Sequence, residues 1–462
     1  MATTLGGLHY VADFNGELEQ FLLKVEEGGV IKTSPYFDSV GKATIGIGVN
    51  IDDGGATSRY LGYILDEIGI NNEPSEIDTT KTANKVIADA IDVISPRNTT
   101  TTGALQTILN ETLRIHFPTL LGANATFSLT YTQAKNVLQK VIADKQPRLD
   151  TWLTEYNIDV ASLKGTKEYE ALTSLFYNRE TVAKTDKNGN PLRNAQGRRI
   201  PTSNSLIGPK LLAALEHDNR AEAWFEIRYK SNSDGQHAKR RSKESDIFGL
   251  TDSGTLTQDQ KTTQAKEIMR MYTRHKNDIT TYEHEYPPSK FGYVKIDESI
   301  KAAKNHLIAT FAPGKTIDGQ LIVGAGLDSY SYKQDEKNPK DTILATDKND
   351  LIFGEKGNDT IIGNGGNDVI YGGQGIDQIL GADGNDTIYG EADDDIIYGG
   401  AGNDYIEGGL GDDIYIINAG DGTDTIEDKE GSNTIIINGT NYTNIIKLLI
   451  RQADGSYKTP DG

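Results

Sequence analysis

The chain has 462 residues and a formal net charge of −20, so its length allows two or three domains. It contains no cysteine, which excludes a disulfide framework and a thiolate metal site. No strongly basic face and no apolar run of about 18 residues occur in the sequence, so we expect no nucleic-acid partner and no transmembrane segment.

The first predicted elements are a helix and a small β-hairpin. Apolar residues recur at helical spacing over residues 17–27, with Asn15 as the predicted N-cap. Residues 36–49 alternate between apolar and polar side chains and contain a turn at Gly41, which predicts the hairpin. The sequence Glu26-Glu27-Gly28-Gly29 therefore stands where the helix ends and the chain enters the hairpin.

This junction carries a motif that also includes Asp38 and Thr44-Ile45-Gly46-Ile47-Gly48. It resembles the phage-type lysozymes, glycoside hydrolases with a helix-ending Glu-Gly, then an Asp, then Thr-Ile-Gly-x-Gly. The resemblance implies an α+β lysozyme-like domain over residues 1–286, mostly helical with a small hairpin. It also implies a catalytic set of Glu27, Asp38 and Thr44.

The spacing within this set matches the family in one interval and departs from it in the other. Five residues separate Asp38 from Thr44, as in the family, whereas ten separate Glu27 from Asp38, against eight in the best-known phage enzyme. The longer loop leaves open whether Glu26 or Glu27 faces the cleft. Glu27 is preferred because it directly precedes Gly28.

Glycosidic hydrolysis requires these residue types. One carboxylic acid protonates the leaving oxygen, and a second carboxylate acts on the opposite side of the bond. A glutamate at a helix end can keep a raised pKa among apolar neighbours, while an aspartate in a hydrated hairpin stays ionised. A threonine hydroxyl near that aspartate can orient the attacking water. The arrangement suits an inverting mechanism, in which the carboxyl groups stand roughly 6.5–9.5 Å apart.

Helical patterns dominate the rest of the N-terminal region, with one interruption. The interruption, residues 185–199, is polar and contains Asn188-Gly189, which predicts an exposed insertion of hairpin type. The predicted helices cover residues 81–94, 100–116, 132–152, 168–177, 207–217, 221–230 and 258–282.

Two further features of this region are interpreted as structural. The stretch Arg240-Arg241-Ser242-Lys243-Glu244 is similar to an Arg-Arg-x-x-Glu sequence on a late helix of the same lysozymes, where it supports the fold. Trp152 and Trp224 each lie on a helical stripe, which favours the core over sugar stacking. Residues 287–344 are mixed in character and are predicted to link to the next domain and to cap its N-terminal end.

A nine-residue repeat of the form G-G-x-G-x-D-x-U-x, with U apolar, fills the chain from residue 345 to residue 416 in eight copies. This period predicts a parallel β-roll in which two units complete one coil, with six turn residues and a three-residue strand per unit. The repeated aspartates are Asp350, Asp359, Asp368, Asp377, Asp386, Asp395, Asp404 and Asp413. The apolar positions are Ile352, Ile361, Ile370, Ile379, Ile388, Ile397, Ile406 and Tyr415.

The repeat also predicts a calcium site, because calcium prefers carboxylate and carbonyl oxygens at a flexible coordination number. From residue 341 to the end the chain carries 24 acidic and six basic residues, so the excess negative charge belongs to this region. The sequence resembles RTX proteins over roughly residues 341–428, and calcium is the implied cofactor, bound only in the roll and not required for the chemistry.

In RTX rolls of this kind each ion lies between two turns that are 18 residues apart. The resemblance implies carbonyls of positions two and four plus the aspartate from the lower turn, and carbonyls of positions one and three plus the aspartate from the upper turn. For the best-formed pair these are Glu355, Gly357 and Asp359, with Gly372, Gln374 and Asp377. Eight units allow six such pairs, and the first unit, which lacks all its glycines, is expected to bind weakly.

The RTX resemblance also implies secretion from a Gram-negative bacterium through a type I exporter that reads an uncleaved C-terminal signal. The N-terminus has no basic and apolar secretory signal, in agreement with this route. The roll is predicted to span residues 345–428, and residues 429–462 form a trailing segment that ends in turn-forming residues. We expect the chain to be a fragment of a longer protein.

The overall prediction is a secreted multidomain hydrolase, a lysozyme-like muramidase joined to a calcium-binding roll. The implied substrate is bacterial peptidoglycan, cut between N-acetylmuramic acid and N-acetylglucosamine. The implied setting is an antibacterial effector or bacteriocin-like toxin, for which an immunity protein is a further partner. The alternatives are a non-catalytic wall-binding or adhesin module and a chitinase-like hydrolase; the presence of Glu27, Asp38 and Thr44 favours the enzyme.

Overall fold

The structure is a computed structural model of the chain. It describes residues 8–26, 32–37, 43–46, 49–50, 59–68, 70, 102–116, 126–203, 205–230, 238–252, 255–287, 289, 293–324, 340–428, 430–438, 440–443, 450–451 and 457–458. The chain divides into two compact units. Unit 1 comprises Met1–Leu212 and Lys230–Gly249, and unit 2 comprises Ala213–Tyr229 and Leu250–Gly462. The domain limits predicted from the sequence stay predictions.

Unit 1 is mainly helical with a small antiparallel sheet. Its sheet has the order β1-β2-β3, from Lys32–Phe37, Ala43–Gly46 and Val49–Asn50. Its helices are α1 Phe14–Glu26, α2 Arg59–Glu67, α3 Thr102–His116, α4 Tyr131–Glu155, α5 Val160–Leu163, α6 Lys167–Asn178 and α9 Ala238–Phe248. Helix α7, Pro209–Glu216, has residues in both units.

The helices of unit 1 follow the apolar periodicity of the sequence and begin at identifiable caps. At the start of α4, Thr130 and Gln133 form a capping box, in which each side chain accepts the backbone N–H of the other residue. The predicted cap of α1 was wrong: the helix begins before Asn15, and the side chain of Asp13 accepts the N–H of Gly16. The helix predicted over residues 81–94 lies outside the described residues.

The core of unit 1 is formed by apolar side chains from α1, α2, α3 and α4. Leu18, Leu65, Leu109 and Leu138 are fully buried in one cluster. Trp152 and Trp224 are both buried, and the predicted core position of each is confirmed. The cluster that includes Leu18 and Leu138 contains only residues of unit 1. Its apolar burial therefore stabilises that unit by itself.

Unit 2 contains a short helical part and a long roll. Its helices are α8 Arg220–Phe225, which continues into a π-helical turn at Glu226–Lys230, α10 Gln258–Glu285 and α11 Asp297–Phe311. Within the described ranges, no helix combines the length and the apolar character needed to cross a membrane.

The roll consists of two parallel sheets, and from β5 to β13 the neighbouring strands of each sheet are 18 residues apart. One sheet has the order β14-β12-β10-β8-β6-β4, and the other has β16-β15-β13-β11-β9-β7-β5, in which only β16 is antiparallel to its neighbour. In chain order the strands are β4 Leu321–Val323, β5 Thr342–Leu344, β6 Leu351–Lys356, β7 Thr360–Gly365, β8 Val369–Gln374, β9 Gln378–Asp383, β10 Thr387–Ala392, β11 Ile396–Ala401, β12 Tyr405–Leu410, β13 Ile414–Ile417, β14 Thr425–Ile426, β15 Thr434–Ile437 and β16 Thr440–Thr443.

The apolar position of each repeat forms the core of the roll. Ile352 pairs with Ile370, which in turn pairs with Ile388 and then Ile406, so one isoleucine lies above the next within one sheet. The predicted set from Ile352 to Tyr415 is buried throughout and forms one continuous cluster, which confirms the parallel roll and its two-unit coil.

The predicted strand length was wrong, because β6 to β12 have six residues each and not three. The parallel pairing continues beyond the apolar position into the turn, as in Glu355↔Gly373 and Lys356↔Gln374. The second sheet continues beyond residue 428, because β15 pairs in parallel with β13. The last described elements are the paired strands β17 Ile450–Arg451 and β18 Tyr457–Lys458.

Candidate metal centre

The repeated aspartates form two regular rows through the turns of the roll. In six of the eight repeats, the backbone N–H of the aspartate donates to Oδ1 of the aspartate 18 residues later. In the last two repeats the acceptor lies 20 residues later, Oδ1 of Asp424 for Asp404 and Oδ1 of Asn433 for Asp413. The N···O distance is 2.7 Å for Asp350 to Asp368 and 2.9 Å for Asp395 to Asp413. Each carboxylate is therefore fixed in position by the turn that lies one coil before it.

The second oxygen of these carboxylates is buried and has no donor. Oδ2 of seven aspartates has no hydrogen-bond partner among the residues that the structure describes, although the side chains are at most 2% exposed. These are Asp359, Asp368, Asp377, Asp386, Asp395, Asp404 and Asp413. A buried carboxylate oxygen without a partner is costly, so seven in register indicate positions built to face a cation.

Glycine at position one of the repeat leaves the space in front of each such oxygen open. A methyl group added at Gly372 would lie 2.7 Å from Oδ2 of Asp377 and 2.7 Å from the carbonyl oxygen of Gly390. At Gly363 the corresponding distances are 2.3 Å to Oδ2 of Asp368 and 2.6 Å to the carbonyl oxygen of Gly381. The space is thus bordered by a carboxylate oxygen and a carbonyl oxygen, the ligand types that calcium prefers.

The carbonyl positions predicted for the best-formed pair lie in these turns. Glu355 adopts φ = 81°, a left-handed conformation that aims its peptide unit differently from an ordinary strand residue. The carbonyl of Gln374 accepts the N–H of Gly357 at 2.8 Å, which leaves it a second lone pair. A methyl group added at Gly354 would lie 2.3 Å from the carbonyl oxygen of Gly372 and 3.0 Å from Oδ2 of Asp359, so this carbonyl borders the same space as that carboxylate. The assignment of Glu355, Gly357, Gly372 and Gln374 as ligands stays a prediction.

The first repeat differs from the others because protein groups satisfy its carboxylate. Oδ2 of Asp350 accepts the N–H of Thr346 at 2.7 Å and the hydroxyl of the same residue at 2.8 Å. Oδ1 of Asp350 accepts the N–H of Gln320. Both carboxylate oxygens of Asp350 therefore already accept hydrogen bonds from the protein. This agrees with the weak calcium binding expected for the unit without glycines.

No group of three or more acidic, histidine or cysteine side chains is positioned to hold a metal among the described residues. The predicted sites do not require one, since each uses two aspartates 18 residues apart and takes its other ligands from the backbone. Each predicted site therefore depends on its two aspartates and on the glycines that leave the backbone carbonyls accessible.

The asparagine at position five is a feature that the sequence analysis missed. Oδ1 of Asn367 accepts the N–H of Asn385 at 2.7 Å, and Oδ1 of Asn385 accepts the N–H of Asn403 at 2.7 Å. These exposed bonds run beside the aspartate row and connect successive turns. The signal was present in the sequence, because asparagine or aspartate occupies position five in seven of the eight repeats.

The electrostatics of the aspartate rows oppose the ionised state when no cation is bound. Burial raises the pKa of Asp368 and of Asp395 to about 8, and the charges of neighbouring aspartates act in the same direction. Burial likewise raises the pKa of Asp377 and of Asp386 to about 7. A bound divalent cation would reverse this preference by stabilising the carboxylate form.

Replacement of one aspartate of these rows tests its role directly. Asp368→Asn and Asp386→Asn, made singly, should each raise the calcium midpoint of the structural transition, by roughly tenfold at the affected site, because the amide keeps the Oδ1 bond but removes the charge that faces the ion. Asp350→Asn is the matched control and should shift the midpoint far less. Calcium titration followed by circular dichroism measures all three, and equal shifts in the three variants would contradict the assignment.

The raised pKa values also predict a pH dependence. The unfolded chain titrates its aspartates near the ordinary value of about 3.9, so between about pH 4 and pH 8 the folded roll binds more protons than the unfolded chain. The free energy of unfolding of the calcium-free roll should therefore fall as the pH rises through this window. In calcium-depleted buffer, the β-signal in circular dichroism should be larger at pH 5 than at pH 8.

The predicted catalytic residues are described only in part. Glu27 and Asp38 lie outside the described residues. Thr44 lies in β2, the middle strand of the small sheet, where it pairs with Tyr36 of β1 and Asn50 of β3. Helix α1 ends at Glu26. The catalytic set therefore stays a prediction.

The Arg-Arg-x-x-Glu stretch lies in the core of unit 1. Arg241 and Glu244 are fully buried and form an ion pair, and Arg240 donates to Oε1 of Glu244 at 3.0 Å. Ser174 of α6 donates to the same Oε1 at 2.6 Å. This network connects α9 to α6, which is the structural role that the sequence predicted.

Comparison with known proteins identifies the repeat region. The family of RTX calcium-binding nonapeptide repeats, in its four-copy form, matches residues 344–379 and 380–415. No curated protein matches the chain. The matched segments bind calcium, and repeats of this family are typical of proteins that Gram-negative bacteria secrete through type I exporters.

Proposed function

We propose that the roll is a module that folds when the protein meets extracellular calcium. The observation that carries this proposal is the set of seven buried Oδ2 atoms, in two rows, without a donor among the described residues. Calcium would supply the positive charge that this part of the chain lacks, and the aspartates and turn carbonyls would hold it. Passage through a type I exporter as an unfolded chain would then precede folding outside the cell.

The ligand set proposed for one site is the two aspartates 18 residues apart with the carbonyls around them. For the pair of repeats that begin at Gly354 and Gly372, these are Asp359 and Asp377 with the carbonyls of Glu355, Gly357, Gly372 and Gln374. The Oδ1 bonds, such as that from Asp359 to Asp377 at 2.7 Å, support the proposal because they hold the carboxylates of the folded roll in position to face an ion.

We further propose that the N-terminal region is a peptidoglycan hydrolase of the lysozyme-like kind. Glu27 would act as the general acid, Asp38 as the general base, and Thr44 would orient the attacking water. Three observations support this proposal: the motif itself, a helix that ends at Glu26, and a three-stranded sheet with Thr44 in its middle strand. The buried Arg241–Glu244 pair is a fourth similarity to the same lysozymes.

The proposed reaction is hydrolysis of the β-1,4 bond between N-acetylmuramic acid and N-acetylglucosamine, with inversion at the anomeric carbon. The carboxylic acid of Glu27 gives its proton to the leaving oxygen, while the carboxylate of Asp38 accepts a proton from water as that water attacks. A secreted enzyme of this kind would act as an antibacterial effector, and its producer would carry an immunity protein.

Digestion of two polymers in parallel tests the hydrolase proposal against its alternatives. The intact chain should release muropeptides from purified peptidoglycan, with masses that differ from the substrate by one water per bond cut. Release from chitin instead would favour a chitinase-like hydrolase. Binding to both polymers without any product would favour a non-catalytic wall-binding or adhesin module.

A further inference from the structure

We propose that residues 181–202 of unit 1, the double-turn insertion, form a cationic docking surface for a glycan polymer that carries carboxylates. This inference rests on the proposed hydrolase function and adds to it a means by which the enzyme is retained on its substrate. The bonding within the insertion, its attachment to helix α4 and its charge all support this role.

The insertion is an ordered structure with two tight turns. Its three segments bond in a cycle: Lys184 N–H donates to the Ile200 carbonyl at 2.7 Å, Leu192 N–H to the Lys184 carbonyl at 2.7 Å, and Ile200 N–H to the Leu192 carbonyl at 3.0 Å. In the turns between them, the side chains of Asp186 and Asn194 each accept two backbone N–H groups. Polar turns built in this way present a fixed surface.

Contacts with α4 hold the base of the insertion in place. Trp152 donates its indole N–H to the carbonyl of Thr181 at 3.0 Å, and the hydroxyl of Tyr156 donates to the carbonyl of Arg199 at 2.9 Å. The guanidinium of Arg199 lies over the Trp152 ring and bonds to Glu155 at 2.5 Å. The backbone that carries the exposed side chains is therefore held in position before any partner binds.

The exposed part of the insertion is strongly basic. Residues 181–202 contain five lysine and arginine residues and one carboxylate, in a chain whose net charge is −20. Lys184 and Lys187 are exposed, and neither has an acidic partner at ion-pair distance within the part of the chain that the structure describes. Arg193 is 55% exposed although it contacts Glu155.

Asp186, the one carboxylate within the insertion, does little to offset these cations. Backbone N–H groups of Asn190 and Asn188 hold the pKa of Asp186 below its usual range, and the same bonds direct the carboxylate into its own turn. At physiological ionic strength the Debye length is about 8 Å, so distant acidic residues are screened and the local charge decides what binds.

A polymer with regularly spaced carboxylates matches this surface. Guanidinium and ammonium groups bind carboxylates through charge-assisted hydrogen bonds, and the stem peptides of peptidoglycan end in carboxylates. A lipid surface fits less well because the large apolar side chains that the insertion exposes are only Val182 and Leu192, too few for a continuous apolar face.

The test is retention of the intact chain on purified, insoluble peptidoglycan, measured by cosedimentation at low and high salt. The charge reversal K184E/K187E should weaken retention roughly tenfold at low salt, since it removes two exposed cations and places there two carboxylates that repel those of the polymer. The conservative pair K184R/K187R should retain the affinity of the parent. The matched control K261E/K276E, which reverses two exposed lysines of helix α10, should also retain it.

Three further results would overturn the inference: equal loss in the two charge-reversed variants, retention of the parent that does not change with salt, or stronger binding to anionic vesicles than to peptidoglycan. Circular dichroism of each variant shows whether it is folded. This test and the test of the hydrolase proposal can fail independently. Release of muropeptides with unchanged retention in K184E/K187E rejects only the docking surface. Salt-sensitive retention without product rejects only the hydrolase.

Discussion

Removal of calcium from the intact chain should abolish most of its β-sheet signal and leave most of its helical signal. Most of the nine-residue repeats bury only one apolar side chain completely, too little to offset the conformational entropy of the ordered turns. Its buried carboxylates add electrostatic repulsion when they ionise. Calcium on the order of 1 mM outside the cell would reverse this balance, since a site absent from the unfolded chain contributes its binding free energy to folding.

The size of this effect follows from the number of sites. A single site with calcium at about 100 times its dissociation constant stabilises the folded state by about 2.7 kcal/mol, and the repeats allow up to six stacked pairs. The transition should therefore be steep and cooperative in calcium. Circular dichroism during a calcium titration, begun in excess chelator, measures both the midpoint and the steepness.

The helical signal supplies the internal control. The apolar cluster of unit 1 includes no residue of the roll, so its helices should remain folded in chelator. Within unit 2 a smaller loss is expected, because Lys266 and Arg270 of α10 form ion pairs with Glu355 at 2.7 and 3.0 Å, and Phe311 of α11 contacts Phe353. A roll that stays fully folded in excess chelator would refute this account.

The nine-residue period was sufficient to predict the roll, its coil of two repeats and its buried isoleucines, because that information repeats in the sequence itself. The length of the strands was not predictable from the same pattern. Hydrogen bonds continue past Ile352 to Lys356 only because the neighbouring coil presents Gly373 and Gln374 at the right register. That register exists only when the coils of the roll are stacked, so it cannot be read from one repeat.

Interactions between distant parts of the chain could not be predicted from the sequence. The satisfied carboxylate of Asp350 depends on Gln320, which is 30 residues earlier, and on the local turn at Thr346. The contact of Arg270 with Glu355 spans 85 residues. By contrast, the exposed insertion was predictable as a turn region from Asn188-Gly189, although its cyclic bonding pattern required the third segment at Ile200.

The largest expected effect of a single substitution is on hydrolysis. Glu27→Gln should leave the fold intact and lower the rate of peptidoglycan hydrolysis by roughly two to four orders of magnitude, because an amide cannot donate the proton that the leaving oxygen requires. Turnover of purified peptidoglycan at saturating substrate measures the change. The calcium midpoint of the roll should be the same as in the parent, since the substitution removes no aspartate of the repeats.

Glu26→Gln is the matched control, because it makes the same chemical change one residue earlier. It should reduce turnover only slightly if Glu27 faces the cleft, and the reverse ranking would assign the acid to Glu26. Asp38→Asn should lower turnover more than Thr44→Ala, since the first removes the base and the second only an orienting hydroxyl. Full activity in both glutamate variants would exclude the lysozyme-like mechanism, because neither carboxyl group would then be needed to protonate the leaving group.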